Sequence, residues 1–312
     1  MIMINKIKYI NISITNRCNL SCEYCDIWQE KHKKDIRLDN VRKMLESSIL
    51  DDNTDIALTG GEPFLYKNLA LLTELILKTR PGSLKAITTN GTLGEAMLDF
   101  LAGLKKHRKH LSLCISFDGV TKHYKQRGNS PFVALNKAVS IKDEFSDIKV
   151  KLKFTVTPIN YKDIIPAYNF AKLNNFRLKI KLVENAKNYT NAIFNNSIFK
   201  FSKEMRNSII NDLSLIYVDL LELDRKDAYF IKKTIEFLSG KKKPEACSAP
   251  FNRIFVMPNG KIYSCIYSDH IGNINDKCLE DIWHSKKAEL IRNKVEKYGC
   301  NRCVSYHGFS LD

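Results

Sequence analysis

Between Thr15 and Trp28 the chain reads TNRCNLSCEYCDIW, which sets Cys18, Cys22 and Cys25 within eight residues at C-x3-C-x2-C spacing. No other stretch constrains the fold as tightly. Three soft sulfur donors on one loop suit three corners of an iron–sulfur cube, which normally takes four cysteines. The next cysteine is the distant Cys114, so one iron would stay open to a small ligand. A tetrahedral zinc site is the alternative, with only His32 nearby to complete it.

Strand-like segments at 7–14, 55–59, 84–89, 111–117, 149–157 and 176–183 alternate with helical stretches near 38–50, 67–79, 94–106, 132–145 and 162–173. That alternation implies an α/β fold with a parallel sheet and right-handed crossovers. Six units are too few to close an eight-stranded barrel. Candidate groups fall at the carboxyl ends of the strands, where parallel sheets and barrels bind ligands. The cysteine loop follows the first strand and Gly60-Gly61-Glu62-Pro63 the second; Thr89-Asn90-Gly91 follows the third and Ser116-Phe117-Asp118-Gly119 the fourth. Paired glycines let a backbone approach a ligand closely, and a carboxylate with free carbonyls suits an ammonium group. Taken alone, the same four residues are a turn.

Alternation assigns faces. Ile10, Ile12 and Ile14 oppose Asn11, Ser13 and Thr15; Leu111, Leu113, Ile115 and Phe117 oppose Ser112, Cys114 and Ser116. The apolar face should pack on helices and leave the polar face for a lumen. That rule turns Lys151, Lys153, Thr155 and Thr157 inward from the fifth strand, and Arg177, Lys179 and Lys181 from the sixth. One wall would then be basic, with Lys153 and Arg177 as candidates for holding a phosphate or carboxylate of a substrate. Lysines guarding a sheet edge are the competing explanation, strongest for Lys151 and Lys181.

The cysteine loop, with Tyr24 just before its third cysteine, resembles that of the radical S-adenosylmethionine (SAM) superfamily, and GGEP matches that family's motif. The resemblance covers about residues 5–185 and implies an open (β/α)6 TIM-like partial barrel. It also implies a [4Fe–4S] cluster on Cys18, Cys22 and Cys25 whose open iron chelates SAM. One electron then splits SAM to a 5′-deoxyadenosyl radical that abstracts a hydrogen atom from the substrate. Tyr24, Gly60, Gly61, Glu62, Pro63, Asn90, Ser116 and Asp118 stand where the superfamily contacts SAM. Arg127, in the HYKQRG run, stands where relatives with an auxiliary cluster carry an arginine-glycine pair near the active site; a solvated loop arginine is the alternative.

Beyond residue 185 the pattern changes. Residues 202–223 and 227–239 read as amphipathic helices, and Lys241–Lys243 with Pro244 as a linker. Cys247 and Cys265 then flank a hairpin turning at Asn259-Gly260, Cys278 follows, and a helix over 279–297 leads to Cys300 and Cys303. Cys247, Cys265, Cys300 and Cys303 make a full set of four. The segment 246–312, after a helical region at 186–245, resembles the twitch form of the SPASM domain. The GNI…LEDIW run supports this, and the cysteine spacing is similar to that of an aminocyclitol dehydrogenase of the group. The likeness implies an auxiliary [4Fe–4S] cluster with no open site, suited to electron transfer, with Cys278 a spare. Four cysteines also suit structural zinc. The isolated Cys114 reads as a small buried filler.

The start, MIMINKIKYINIS, contains no long apolar run, so neither a signal peptide nor a membrane span is expected. In a reducing cytoplasm the nine cysteines point to metal rather than disulfides. A net charge of +16 is spread along the chain; such a surface attracts nucleic acid, anionic lipid or an acidic redox partner, or reflects a lysine-rich proteome, and no nucleic-acid motif backs the first. An electron donor such as flavodoxin or ferredoxin is the expected protein partner. The expected reaction is oxidation or epimerisation of a small polar, anionic metabolite. Modification of a ribosomally made peptide is the alternative, disfavoured because the first strand starts within ten residues and leaves no room for a peptide-recognition domain before it. A non-catalytic iron–sulfur scaffold or redox sensor is a third reading.

Overall fold

The computed structural model describes residues 6–186, 200–241, 247–300 and 303–304. The barrel part runs β1 (Ile7–Ser13), α1 (Leu38–Leu45), β2 (Leu50–Thr59), α2 (Leu69–Thr79), β3 (Leu84–Thr89) and α3 (Gly94–Leu104). It continues with β4 (Ser112–Ser116), α4 (His123–Arg127), α5 (Pro131–Glu144), β5 (Lys149–Val156), α6 (Ile164–Leu173) and β6 (Arg177–Leu182). Two helices follow, α7 (Lys203–Leu223) and α8 (Arg225–Leu238), then α9 (Ala249–Asn252), β7 (Arg253–Val256), β8 (Lys261–Tyr263), β9 (Gly272–Asn273), α10 (Leu279–Trp283) and α11 (Lys286–Tyr298).

The six barrel strands pair in parallel and in sequence order, and the sheet does not close: its order is β6-β5-β4-β3-β2-β1-β7-β8-β9. This is the open partial barrel expected. The C-terminal hairpin is continuous with it, because β7 adds in parallel beside β1 and β8 and β9 follow antiparallel. Three local readings differ. β2 starts at Leu50 rather than residue 55, and its first residue pairs with Ile7 ahead of a register shift. The short helix α4 lies inside the loop after β4. The single helix over 279–297 is two, because the Ser285 side chain caps α11 by accepting from the Ala288 N–H at 3.3 Å. The linker beyond Lys241 lies outside the described residues.

The face assignment holds. Ile10, Ile12, Ile56, Leu58, Ile87, Leu113, Ile115, Leu152, Phe154 and Val156 are buried against the helical layer, each worth up to about 1.5–3 kcal/mol. The register aligns the opposite face across the strands: Asn11 with Ala57, Ala57 with Ala86, Ala86 with Ser112, Thr88 with Cys114, and Ser116 with Lys153. That face carries small side chains on β2–β4 and long cations on β5 and β6. Cys114, 7 % exposed, is one of these small lumen-face residues.

Candidate active site

The cysteine loop is fixed by its neighbours before any ligand is considered. Gly61 and Glu62 donate their N–H groups to the carbonyls of Thr15 and Arg17, both at 2.7 Å. Both glycines are required there. A Cβ at Gly60, whose φ is +149°, would lie 2.4 Å from the Thr15 oxygen, and one at Gly61 would lie 2.0 Å from the Arg17 oxygen. The close approach expected toward a ligand is therefore also an approach of one loop's backbone to the other's. Pro63 is buried at the start of a 3-10 turn. Asn16 binds the segment after the loop through the His32 carbonyl (3.0 Å) and the Lys34 N–H (2.6 Å).

Glu62 is unexposed, and its carboxylate accepts from the Thr89 hydroxyl (2.7 Å), the Asn90 N–H (2.8 Å) and the Phe64 N–H (3.2 Å). Burial pushes its pKa up, and those donors pull it back. The carboxylate expected to face an ammonium group is thus enclosed by protein donors and knits the ends of β2 and β3 together. The Asn90 side chain donates to the Asn19 side-chain Oδ1 at 2.9 Å, so the third strand's loop also grips the cysteine loop.

Asp118 is the hub of the second half. Its Oδ2 accepts from Arg127 Nε at 2.5 Å and from the Tyr24 hydroxyl at 2.8 Å, while Oδ1 accepts from the Thr155 N–H at 2.8 Å. Arg127 also donates to the Tyr24 oxygen, and its Nη1 lies 3.7 Å from Cys22 Sγ. The Asp118 N–H donates to His123 Nδ1 at 3.0 Å. Burial, then the charge of Arg127, lowers the His123 pKa to about 4, so that imidazole stays neutral. The Asn160 amide holds the Asp118 carbonyl at 3.1 Å. Tyr24, Asp118 and Arg127, far apart in sequence, thus form one buried cluster against Cys22. The alternative of a solvated Arg127 is excluded, since it is 7 % exposed.

Burial pushes the Cys22 thiol up to about 11 and Cys25 to about 12, with Arg127 opposing the shift in both. Iron must therefore displace protons from these thiols on binding. A thiol loop with a buried guanidinium against one sulfur fits an anionic iron–thiolate centre with its compensating charge already in place.

On the lumen face Ser116 is in register with Lys153, Lys153 with Lys179, and Lys151 with Arg177. Lys153 is half-buried. Burial, then the neighbouring Lys181, lowers its pKa to about 8. Arg177 is placed differently: it opens β6 at the strand's amino end, and its guanidinium is held by Asp224 (2.7 Å) and by Asp227 at the start of α8. The structure does not bring it to the Asp118 cluster, and protein carboxylates counter its charge.

Cys265 follows β8, Cys247 precedes α9, and Cys300 and Cys303 follow α11. Burial pushes the Cys265 thiol up, and Cys247 and Cys300 are close enough to add to it. Arg253 is 1 % exposed, and Cys247, Cys265 and Cys303 are among the groups that favour its charge. A buried cation coupled electrostatically to three of the four thiols fits an anionic cluster there too. Among the described residues no three His, Cys, Asp or Glu side chains are grouped tightly enough for a single metal ion. Cys278 is exposed at the start of α10. Glu184, just beyond β6, pairs with Lys181 at 3.3 Å and acts electrostatically on both Lys153 and Tyr267.

Residues 12–171 match the Radical SAM superfamily, and residues 247–304 match the SPASM iron-sulfur cluster-binding domain. The chain belongs to the radical SAM superfamily. It is a radical SAM enzyme with a SAM-binding [4Fe–4S] cluster and a SPASM-type auxiliary cluster. Two curated relatives named GTP 3′,8-cyclase align along most of it. That of Campylobacter jejuni subsp. doylei is 29% identical over 310 residues, covering 94% of this chain and 91% of the relative. That of Nautilia profundicola is 27% identical over 311 residues, covering 94% and 92%. Among solved structures, Streptococcus suis SuiB bound to S-adenosylmethionine is similar with a TM-score of 0.66 at 18% identity, over 92% of this chain and 68% of that one. AnSMEcpe with bound AdoMet and a Cp18Cys peptide gives 0.67 at 21%, over 95% and 87%. At those identities the likeness is one of fold. Among the described residues no helix is long and apolar enough to cross a membrane.

Sequence reading missed Asn19, His123, Asn160 and Arg253. Asn160 lies just past the carboxyl end of β5, so the rule that found Asn90 and Asp118 would have found it. Nothing in the sequence around Arg253 marks it.

Proposed function

We propose that this radical SAM enzyme oxidises or rearranges a small, phosphate- or carboxylate-bearing metabolite seated against the lumen face of β5 and β6. The observation that carries this is the row of cations there. Lys151, Lys153, Lys179 and Lys181 share one face, and burial together with the like charge of Lys181 already weakens the proton on Lys153. Glu184 counters Lys181 at 3.3 Å, but the net effect of burial and neighbouring charge on Lys153 still disfavours its proton, and a bound anion would restore it. Bound SAM would supply the radical chemistry, and the auxiliary cluster would supply an electron relay. The chain's own part is to orient: Tyr24, Asp118 and Arg127 fix the Cys22 side of the loop, Glu62 and Asn90 its other side, and Ser116 and Lys153 the substrate. A flavodoxin- or ferredoxin-type donor would provide the electron.

The curated relatives' name makes a nucleoside triphosphate the first substrate to test, since it is small, polyanionic and rich in abstractable hydrogens. The peptide reading draws only on neighbours that share the fold, and a row of lysines gives it no particular support. The test is anaerobic 5′-deoxyadenosine release over a panel of phosphorylated metabolites and nucleotides, with and without Lys153→Met. The expected result is stimulation by a phosphorylated compound and a substrate affinity about tenfold to a hundredfold weaker in the variant. Wild-type affinity should also fall as pH rises through about 8, where Lys153 loses its charge. Affinity unaffected by Lys153→Met would remove the anion site, and stimulation only by peptides would replace the substrate class.

A further inference from the structure

We propose that the basic rim at residues 28–34, beside the first cysteine loop, is the docking surface for the electron donor, and that the donor is an acidic one-electron carrier protein. This rests on the reading that a flavodoxin- or ferredoxin-type donor supplies the electron, and adds where it binds. The rim reads WQEKHKK. Trp28 is 39 % exposed, whereas Trp283, the other tryptophan of the chain, is 1 % exposed in the core. Lys31, His32, Lys33 and Lys34 are all exposed, and Glu30 is the one carboxylate within the run. Asp35, which closes it, is already engaged: it accepts from the Thr15 hydroxyl at 2.6 Å and pairs with Arg17 at 3.4 Å. The rim is held in place at both ends. Lys33 Nζ donates to the Trp28 carbonyl at 2.8 Å, Asn16 grips the backbone at His32 and Lys34, and Ile36 is buried behind them. The run therefore leaves the cysteine loop three residues after Cys25 and returns beside Asn16, two residues before Cys18. Three Cα steps keep the Trp28 backbone within about 11 Å of that of Cys25.

Position and sign together choose the occupant. Electron transfer falls steeply with distance, so a donor to the first centre needs a landing surface next to its cysteine loop, and this rim flanks that loop on both sides. An exposed tryptophan is a common anchor of protein interfaces, and lysines around it steer an acidic partner and fix its orientation. A nucleic acid or an anionic membrane would match the charge, but neither has a use for a surface placed against a redox centre. On docking, the reduced carrier gives up one electron and the first centre gains it; no bond or proton is exchanged across the interface.

The test has two readouts. Iron-loaded enzyme is titrated anaerobically into oxidised flavodoxin, with binding followed by the flavin's fluorescence anisotropy, and 5′-deoxyadenosine release is then driven either by reduced flavodoxin or by dithionite, which needs no docking. Lys31→Glu with Lys34→Glu reverses two exposed charges and leaves the backbone bonds of Asn16 in place; Trp28→Ala removes the anchor. Lys286→Glu with Lys287→Glu, on exposed residues of α11, is the control for net charge. Flavodoxin affinity should weaken at least about tenfold in the Lys31/Lys34 variant, with a flatter dependence on ionic strength, and about tenfold in Trp28→Ala. Flavodoxin-driven release at limiting flavodoxin should fall with it, while iron content and dithionite-driven release stay at the wild-type level. The α11 variant should bind within about twofold of wild type. Equal weakening by the two charge reversals would overturn the proposal, as would unchanged flavodoxin affinity in both rim variants. So would a rim variant that loses binding to anionic vesicles or to nucleic acid while flavodoxin binding is untouched. A wild-type enzyme that fails to cleave SAM with dithionite would strike the catalytic reading instead, and the affinity arm would still decide the docking surface.

Discussion

Cys18, Cys22 and Cys25 occupy one loop, whereas Cys247, Cys265, Cys300 and Cys303 come from separate segments around α9, β8 and the end of α11. The first set needs little folding to bring its sulfurs together and much folding to hold them rigid. Strand ends contribute to its frame: Gly61 and Glu62 after β2, Asn90 after β3, Asp118 after β4. The second set needs folding to exist at all, and its hairpin is anchored by pairing of β7 with β1. Each set has a buried arginine associated with it: Arg127 is ion-paired with Asp118, and Arg253 is coupled electrostatically to Cys247, Cys265 and Cys303. A reactive centre built on a local loop can thus be tuned by distant residues, and a centre assembled from distant residues depends on the sheet that gathers them.

The sharpest break in this comparison is by cysteine. Cys22→Ala should abolish 5′-deoxyadenosine release, a loss of at least about a thousandfold, since no open-iron cluster forms without three ligands. Cys265→Ala should leave substrate-independent SAM cleavage measurable while product formation is lost. Equal loss of SAM cleavage in both would show that the two centres do not fold or function separately.

Asp118→Asn comes next. It leaves the buried Arg127 without its carboxylate, and removing one partner of a buried pair costs about 3–5 kcal/mol. Chemical denaturation should show that loss, and iron retention at the first centre should fall while the auxiliary iron stays. Unchanged stability would mean that Tyr24 and Cys22 suffice to hold the guanidinium.

The smallest effect probes how the second segment is held to the barrel. Glu280 of α10 accepts from the Ser47 hydroxyl (2.7 Å) and the Ser48 N–H (3.0 Å) beyond α1. The Ser47 hydroxyl holds its carboxyl below the ordinary glutamate range. That contribution is present at neutral pH and fades as pH falls through the lowered folded-state value. Glu280→Gln should cost about 1 kcal/mol at pH 7 and nothing at low pH. A loss independent of pH would mean that the contact acts through shape alone.

The alternation of strands and helices, the three local cysteines and the motifs after β2, β3 and β4 determined the partial barrel and the position of its site, because period and short-range spacing are written in the chain itself. The face carrying Lys153 was legible for the same reason: side chains on a strand alternate strictly. What only tertiary structure decided was the partnering. Glu62 turned out to be enclosed by Thr89, Asn90 and Phe64, Arg177 to be bound by Asp224 and Asp227, and Arg127 to lie buried between Asp118, Tyr24 and Cys22. Arg253 had no sequence signal at all. A charged side chain's role depends on which opposite or like charges the fold brings within a few ångströms, and that distance is set by strand register and helix packing across tens to hundreds of residues rather than by its neighbours in the chain.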